Sequence, residues 1–295
     1  MQLAIDSYCY HRFFGEIYPG LETDPGRRMT MDDFLQRAQA LGVAGVSLES
    51  CFVPRTDAGT LARLRGRLDE AGLERVWAWG HPHGLRSGED PAAADDLVRH
   101  IGIAQALGAR VMRICCGGRR TRPASWSEHR DRLLPLLRKV VGPAEQHGVV
   151  LAIENHIDLL ADELVELIET VDSRWLGVCL DTANNLRMLE NPVEAARKLA
   201  PHARATHIKD VTANTTRKVG DPRDFAFWPS VPLGQGLIDL PAILQQLREV
   251  NYDGLLALEI DYLHPAWMAD DSADAAIAQS LDHLRSLLAA PAPAP

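Results

Sequence analysis

Along the chain, short continuous apolar runs of strand length alternate with longer stretches in which apolar residues recur at helical spacing. Gln2–Asp6 opens as a strand at once. Thr30 is placed to cap a helix through about Leu41, with Asp32 and Asp33 in its first turn, where the helix dipole favours acids. Val43–Glu49 is the second predicted strand, a helix follows from about Asp57 to Ala71, and Leu73–Trp79 is the third strand. Asp90-Pro91, a cap residue with proline at the first helical position, starts a helix that runs to Leu107. Arg110–Ile114 is the fourth strand, after which Ser127 is expected to cap a helix ending near Gly148. Val149–Glu154, a helix over Asp162–Val171, and Leu176–Asp181 follow; Asn191-Pro192 then opens a helix by the cap-plus-proline rule. Ala203–His207 is the seventh strand, followed by a long loop to about Gly236, a helix opened by Asp239-Leu240-Pro241, the eighth strand Leu255–Glu259 and a helix over about Asp270–Leu288.

Unbroken βα alternation implies a parallel sheet, since each parallel crossover needs a helix. Eight units in 295 residues fit a single closed (β/α)₈ TIM barrel over residues 1–290, with the Pro/Ala tail 291–295 disordered. A doubly wound sheet is the competing architecture, but no GxGxxG follows the first strand.

Composition narrows the function classes. The net charge of −9 argues against binding phosphate backbones, so nucleic acid is not an expected partner. No apolar run approaches a membrane span, and the first residues lack a signal-peptide core, so a cytoplasmic protein is expected. The five cysteines, Cys9, Cys51, Cys115, Cys116 and Cys179, form no CxxC pair and read as buried thiols, with Cys115 and Cys116 pointing to opposite sides of a strand. The basic run Arg119-Arg120-Thr121-Arg122 is either a solvated loop or a contact for an anionic substrate or a neighbouring subunit.

In such a barrel the active site lies at the C-terminal ends of the strands, so polar residues that stop apolar strands are informative. Four do so: Glu154, Asp181, His207 and Glu259, separated by 27, 26 and 52 residues. The first two intervals are one βα unit each and the third is one unit plus the long loop, which places all four at one height around one side of the mouth. Three carboxylates that close need a cation to offset them. Three oxygen ligands and one imidazole suit one divalent metal ion: Mn²⁺, Mg²⁺ or Co²⁺.

The segments Ala152-Ile153-Glu154-Asn155-His156, Cys179-Leu180-Asp181-Thr182-Ala183-Asn184, Thr206-His207-Ile208-Lys209-Asp210 and Leu258-Glu259 resemble the sugar isomerase/epimerase superfamily with the xylose-isomerase-like barrel. That family includes ketose 3-epimerases, hydroxypyruvate isomerases, inosose dehydratases and apurinic endonucleases, and C-glycoside deglycosidases resemble it. The resemblance implies a Glu-Asp-His-Glu metal site, with Mn²⁺ the first expectation, and casts Glu154 and Glu259 as the acid–base pair of an isomerase or epimerase. A lyase on the same scaffold is the alternative: an inosose-type dehydratase, or a deglycosidase working with a small partner subunit. The ketose epimerases and endonucleases place a histidine three residues after the strand-six aspartate, whereas this chain has Asn184, and a nuclease would need further histidines. An intact ligand set also disfavours a noncatalytic sugar-binding barrel.

Other mouth residues are candidates for substrate contact. His156 follows Glu154 by two positions, so on an extended strand both face inward and Asn155 faces away; His156 is a candidate general acid or base. Glu49, Trp79, His81, His83, Arg113, Asn184 and Lys209, with Asp210 after it, are candidate contacts for a sugar or polyol, and Trp79 and Trp228 could stack on a ring. The segment from Asp6 to Phe14 is a candidate pocket wall or lid. The loop Val211–Gly236, with Arg217, Lys218, Arg223, Phe225, Phe227 and Trp228, reads as a lid or a subunit contact in a homo-oligomer.

Overall fold

The computed structural model describes residues 1–80, 83–213, 228–268 and 272–290. Eight parallel strands close on themselves: β1 (Gln2–Asp6), β2 (Gly45–Glu49), β3 (Glu74–Ala78), β4 (Val111–Ile114), β5 (Val150–Glu154), β6 (Leu176–Asp181), β7 (Ala203–Ile208) and β8 (Leu255–Leu258), with β8 paired to both β1 and β7. Eight helices accompany them: α1 (Met31–Ala40), α2 (Ala58–Glu70), α3 (Pro91–Leu107), α4 (Trp126–His147), α5 (Ala161–Val171), α6 (Pro192–Leu199), α7 (Leu240–Glu249) and α8 (Asp274–Ala289).

Cap chemistry sets most helix starts. Thr30 and Asp33 form a reciprocal capping box, and Asp57, Asp90, Asn191 and Asp239 each accept a backbone N–H of the first turn. The fourth helix corrects the expectation for Ser127. The cap is Ser125, whose hydroxyl accepts from Glu128 N; the S-x-x-E spacing belongs to Ser125, and Ser127 lies inside the first turn. Two short helices, His11–Phe14 and Asn184–Arg187, carry no detectable period in sequence. After β7, Asp210–Val211 pairs antiparallel with Ser230–Val231, a ribbon the sequence pattern does not announce. Residues 214–227, which include Arg217, Lys218, Arg223, Phe225 and Phe227, lie outside the described residues, as do His81, Asp270 and the tail 291–295.

Alternation along the strands divides the core in two. Val76, Ala152, Cys179 and Ala205 meet inside the barrel, with Val111 and Leu255 packed on them. Residues of the opposite parity, such as Ile114, Ile153, Leu180 and Ile208, join the larger core between sheet and helices. Burying each such aliphatic side chain stabilises the fold by roughly 1.5–3 kcal/mol. Two positions up the strands from Val111, Ala152, Cys179 and Ala205, the same inward parity delivers Arg113, Glu154, Asp181 and His207 to the mouth.

Candidate active site

Glu154 ends β5, Asp181 ends β6, His207 lies on β7 and Glu259 follows β8, its N–H extending the ladder to Ile208 O. In register Asp181 lies opposite His207, but Glu154 lies opposite Cys179, two residues below Asp181. The expected common height is therefore not a row of paired residues. It arises because strands in a barrel tilt and stagger, and one ligand atom from each of the four buried residues lies within 4.8 Å of all the others.

His207 Nδ1 faces Glu259 Oε2 at 3.4 Å and Glu154 Oε1 at 3.8 Å, and its Nε2 faces Asp6 Oδ2 at 3.5 Å. Neither ring nitrogen makes a hydrogen bond, nor does Asp6 Oδ2, and Asp181 Oδ2 and Glu259 Oε2 meet the Lys209 ammonium without hydrogen-bond geometry. A buried polar atom left unpaired costs about 1–3 kcal/mol, and a cation among these atoms satisfies several of them at once. The donor set, three carboxylates and an imidazole, fits a divalent ion.

Cations of the chain hold the cluster in shape. Lys209 Nζ lies 2.7 Å from Glu259, 3.1 Å from Asp181 and 3.2 Å from Asp261. Burial works against the charge on Lys209, but those three carboxylates outweigh it and hold its pKa well up. Glu259 is likewise brought down to about 2, against burial, by Lys209 and His207. Arg113 pairs with Glu49 and places Nε 3.2 Å from Glu154 Oε2. With His207 it overcomes the burial of Glu154 and holds that carboxylate well below its usual range. Burial dominates at Glu49, pushing it up to about 8 although Arg113 pulls the other way. Asn184 donates to Glu154 Oε1 at 3.0 Å, and Asp181 Oδ1 accepts the backbone N–H groups of Ala183 and Asn184.

A cavity of about 600 Å³ opens above the cluster. Glu49, His83, Arg113, Glu154, His156, Asn184, Lys209 and Glu259 all line it. His156 donates from Nδ1 to Gly117 O at 3.0 Å, which leaves Nε2 as the acceptor in the neutral ring. Trp79 is a correction. It belongs to the outward parity of β3, is 1% exposed and donates to Asp96 on α3, so it packs between sheet and helices. Trp228 also packs on the core, its carbonyl held by Arg187. Asp210 braces the loop after β7, accepting from the N–H groups of Gly234, Gly236 and Ile238. Cys115 lines the cavity and Cys116 enters the core, but Cys51 is exposed rather than buried. A second hollow of about 700 Å³, beside Phe14, Phe52 and Arg63, contains none of the cluster.

Several contributors escape a reading by strand ends. Asn155 faces away from the cavity, as expected, yet it clamps β5 to β6: its Oδ1 accepts from Asp181 N and its Nδ2 donates to Asp181 O. Arg187 and Asp261 form a buried pair at 2.8 Å that also engages Ser230 and Lys209. Asp6 does carry the signature of a polar residue ending an apolar strand.

Among the described residues, no helix is long and apolar enough to cross a membrane. In solved structures the fold is similar to L-ribulose 3-epimerase, with a TM-score of 0.70 at 19% identity over 97% of this chain and 94% of that one. It is also similar to the IOLI protein with a bound zinc atom, with a TM-score of 0.73 at 16% identity over 98% of each chain. In sequence the chain is 30% identical over 189 residues to the 3-oxo-isoapionate decarboxylase of Pectobacterium atrosepticum. That match covers 64% of this chain and 62% of the relative, so it spans less than two thirds of the relative's length. The model of the xylose isomerase-like TIM barrel family matches residues 35–287, nearly the whole closed barrel, and the chain belongs to that family.

Proposed function

We propose that this protein is a divalent-metal-dependent enzyme that takes a proton from the carbon beside the carbonyl of an oxo-sugar or polyol ketone and returns one, as an isomerase or epimerase. The observation that carries this reading is the convergence of Glu154 and Glu259 on one nitrogen, Nδ1, of His207, with both carboxylates lining one cavity. Glu154, Asp181, His207 and Glu259 would hold the metal. When bound, the ion, Mn²⁺ in this reading and Mg²⁺ or Co²⁺ by the same donor chemistry, supplies Lewis-acid polarisation of the carbonyl. Glu154 and Glu259 are both ionised at neutral pH and so begin as proton acceptors. Asn184 and Arg113 fix the orientation of Glu154, and Lys209 fixes that of Glu259.

His156 favours a second reading, a lyase. The tautomer set by Gly117 O presents an accepting Nε2 beside the cavity. Nε2 would take the proton from the α carbon and hand it to the group that leaves the β carbon with the bonding electrons. The decarboxylase among the sequence relatives shares only the enolate with this reading, since CO₂ departs leaving its bonding electrons on carbon.

Proton NMR in D₂O, with Mg²⁺-loaded protein and a panel of ketoses, inososes and 3-oxo-glucosides, separates the two. Deuterium beside the carbonyl together with a new isomer is the expected result; loss of water or of an aglycone selects the lyase. Glu154→Gln and Glu259→Gln should each slow turnover on the order of a hundredfold or more while the fold persists. Full activity in both variants would end the acid–base assignment, and activity that survives exhaustive chelation would end metal dependence. A near-normal rate in His156→Ala would remove the case for the lyase.

A further inference from the structure

The basic run after β4 is sorted by the structure into different tasks. Arg122 is an anchor: its guanidinium makes two 2.7 Å bonds to Glu163 on α5 and a further bond to the carbonyl of Asp158. Arg119 lines the cavity that holds Glu154 and Glu259. Its Nη2 donates to the carbonyl of Arg187, its Nε is buried without an acceptor, and it has no carboxylate partner among the described residues. Three other cations at this wall are neutralised by carboxylates: Arg113 by Glu49 and Glu154, Arg187 by Asp261, and Lys209 by three of them. Burial lowers the pKa of Arg119, and among the described residues the carbonyl of Arg187 is its partner, with no carboxylate to offset the charge.

The loop that carries Arg119 is fixed. Thr121 Oγ1 bonds Gly118 and Ser87, and the N–H groups of Thr121 and Arg122 close a turn on Gly118 O. A Cβ at Gly117 would lie 2.4 Å from Ser87 Oγ, so the backbone approaches there as only glycine permits. A fixed guanidinium with a spare buried donor, beside a cavity of sugar size, is suited to a planar, singly charged oxyanion, which a guanidinium binds through parallel N–H groups.

We infer that Arg119 binds a carboxylate on the substrate, and that the substrate is therefore a sugar acid rather than a neutral sugar. This rests on the proposed function for the same site and adds the substrate's charge to it. The test is calorimetric binding to metal-loaded wild type, Arg119→Gln and Arg119→Lys, with matched six-carbon probes: D-glucuronate against D-glucose, D-galacturonate against D-galactose, and D-glucose 6-phosphate. The wild type should bind the better acid roughly 10- to 100-fold more tightly than its neutral partner, the range for a hydrogen bond to a charged group. Arg119→Gln should lose that preference while affinity for the neutral sugar holds, and Arg119→Lys should keep part of it. Equal binding of acid and neutral sugar by the wild type overturns the inference and leaves the proposed function standing, as does an acid preference that survives in Arg119→Gln. A preference for the phosphate ester over both acids overturns the carboxylate assignment. If no sugar binds, the proposed function falls and takes this inference with it.

Discussion

Asp6 and His207 show how a supporting carboxylate decides what an imidazole can do. With Nε2 turned to Asp6, the ring presents Nδ1 to Glu154 and Glu259. Removing such an outer partner typically weakens a metal site about 10- to 100-fold. Asp6→Asn is expected to lower metal affinity by that factor in chelator competition, with the far-ultraviolet spectrum unchanged; unaltered affinity would return Asp6 to a packing role. The four clustered residues are legible in sequence because each is the polar stop of an apolar strand. Asp6 has the same signature, but one strand end cannot reveal whether it ligates or supports. Trp79 is misplaced when β3 is read as ending on it: the inward residues are Val76 and Ala78, and parity sends Trp77 and Trp79 outward.

Between α4 and the segment after β5 lies a buried pair, His129 and Asp158, with Nε2 and Oδ2 3.9 Å apart and neither side chain hydrogen-bonded among the described residues. Burial, helped by Arg122, lowers His129 from 6.5 to about 4. The unfolded chain therefore binds a proton there that the folded protein refuses, and the stability present above 6.5 is lost as pH falls toward 4. Burial raises Asp158 from 3.8 to about 6, against the pull of His156 and Arg122. That contribution has the opposite sign: it is present below 3.8 and lost as pH rises through 6. The two oppose each other between pH 4 and 6. Asp158→Asn should make Tm fall more steeply on acidification across this window, and His129→Gln should flatten or reverse the slope, each by an amount of order 2 kcal/mol. Parallel Tm profiles for wild type and both variants would show that the pair does not titrate this way. Helix starts at Thr30, Asp90 and Asn191 are readable because a cap satisfies specific N–H groups. The four-residue helix at Asn184–Arg187 and the ribbon after β7 are not, since two to four residues are too few to show a period.

The eight βα units are legible at the level of the whole molecule, because a parallel crossover cannot be made without its helix. Charge traffic around the mouth is not, since Lys209, Arg187 and Asp261 come from three separate segments whose meeting depends on closure. Closure also places Glu154, Asp181, His207 and Glu259 on three strands and the segment after a fourth, β8, so an ion bound among them would tie together one half of the barrel. Mn²⁺ at about a hundredfold excess over its Kd should therefore raise stability by about 2.7 kcal/mol. At roughly 2–4 °C per kcal/mol for chains approaching this size, Tm should rise by several degrees and fall back on chelation. No shift at saturating metal would argue that the cluster binds no ion in the folded state.

The loop after β4 also bears on how such a barrel could be re-engineered. Gly117 is walled in by Ser87, and Arg122 is fastened to α5, so the stretch between them is held at both ends independently of Arg119 and Arg120. Those two positions form an exchangeable cassette: a library randomising residues 119 and 120 while retaining Gly117, Thr121 and Arg122 would vary what the mouth accepts without disturbing the carboxylates beneath it.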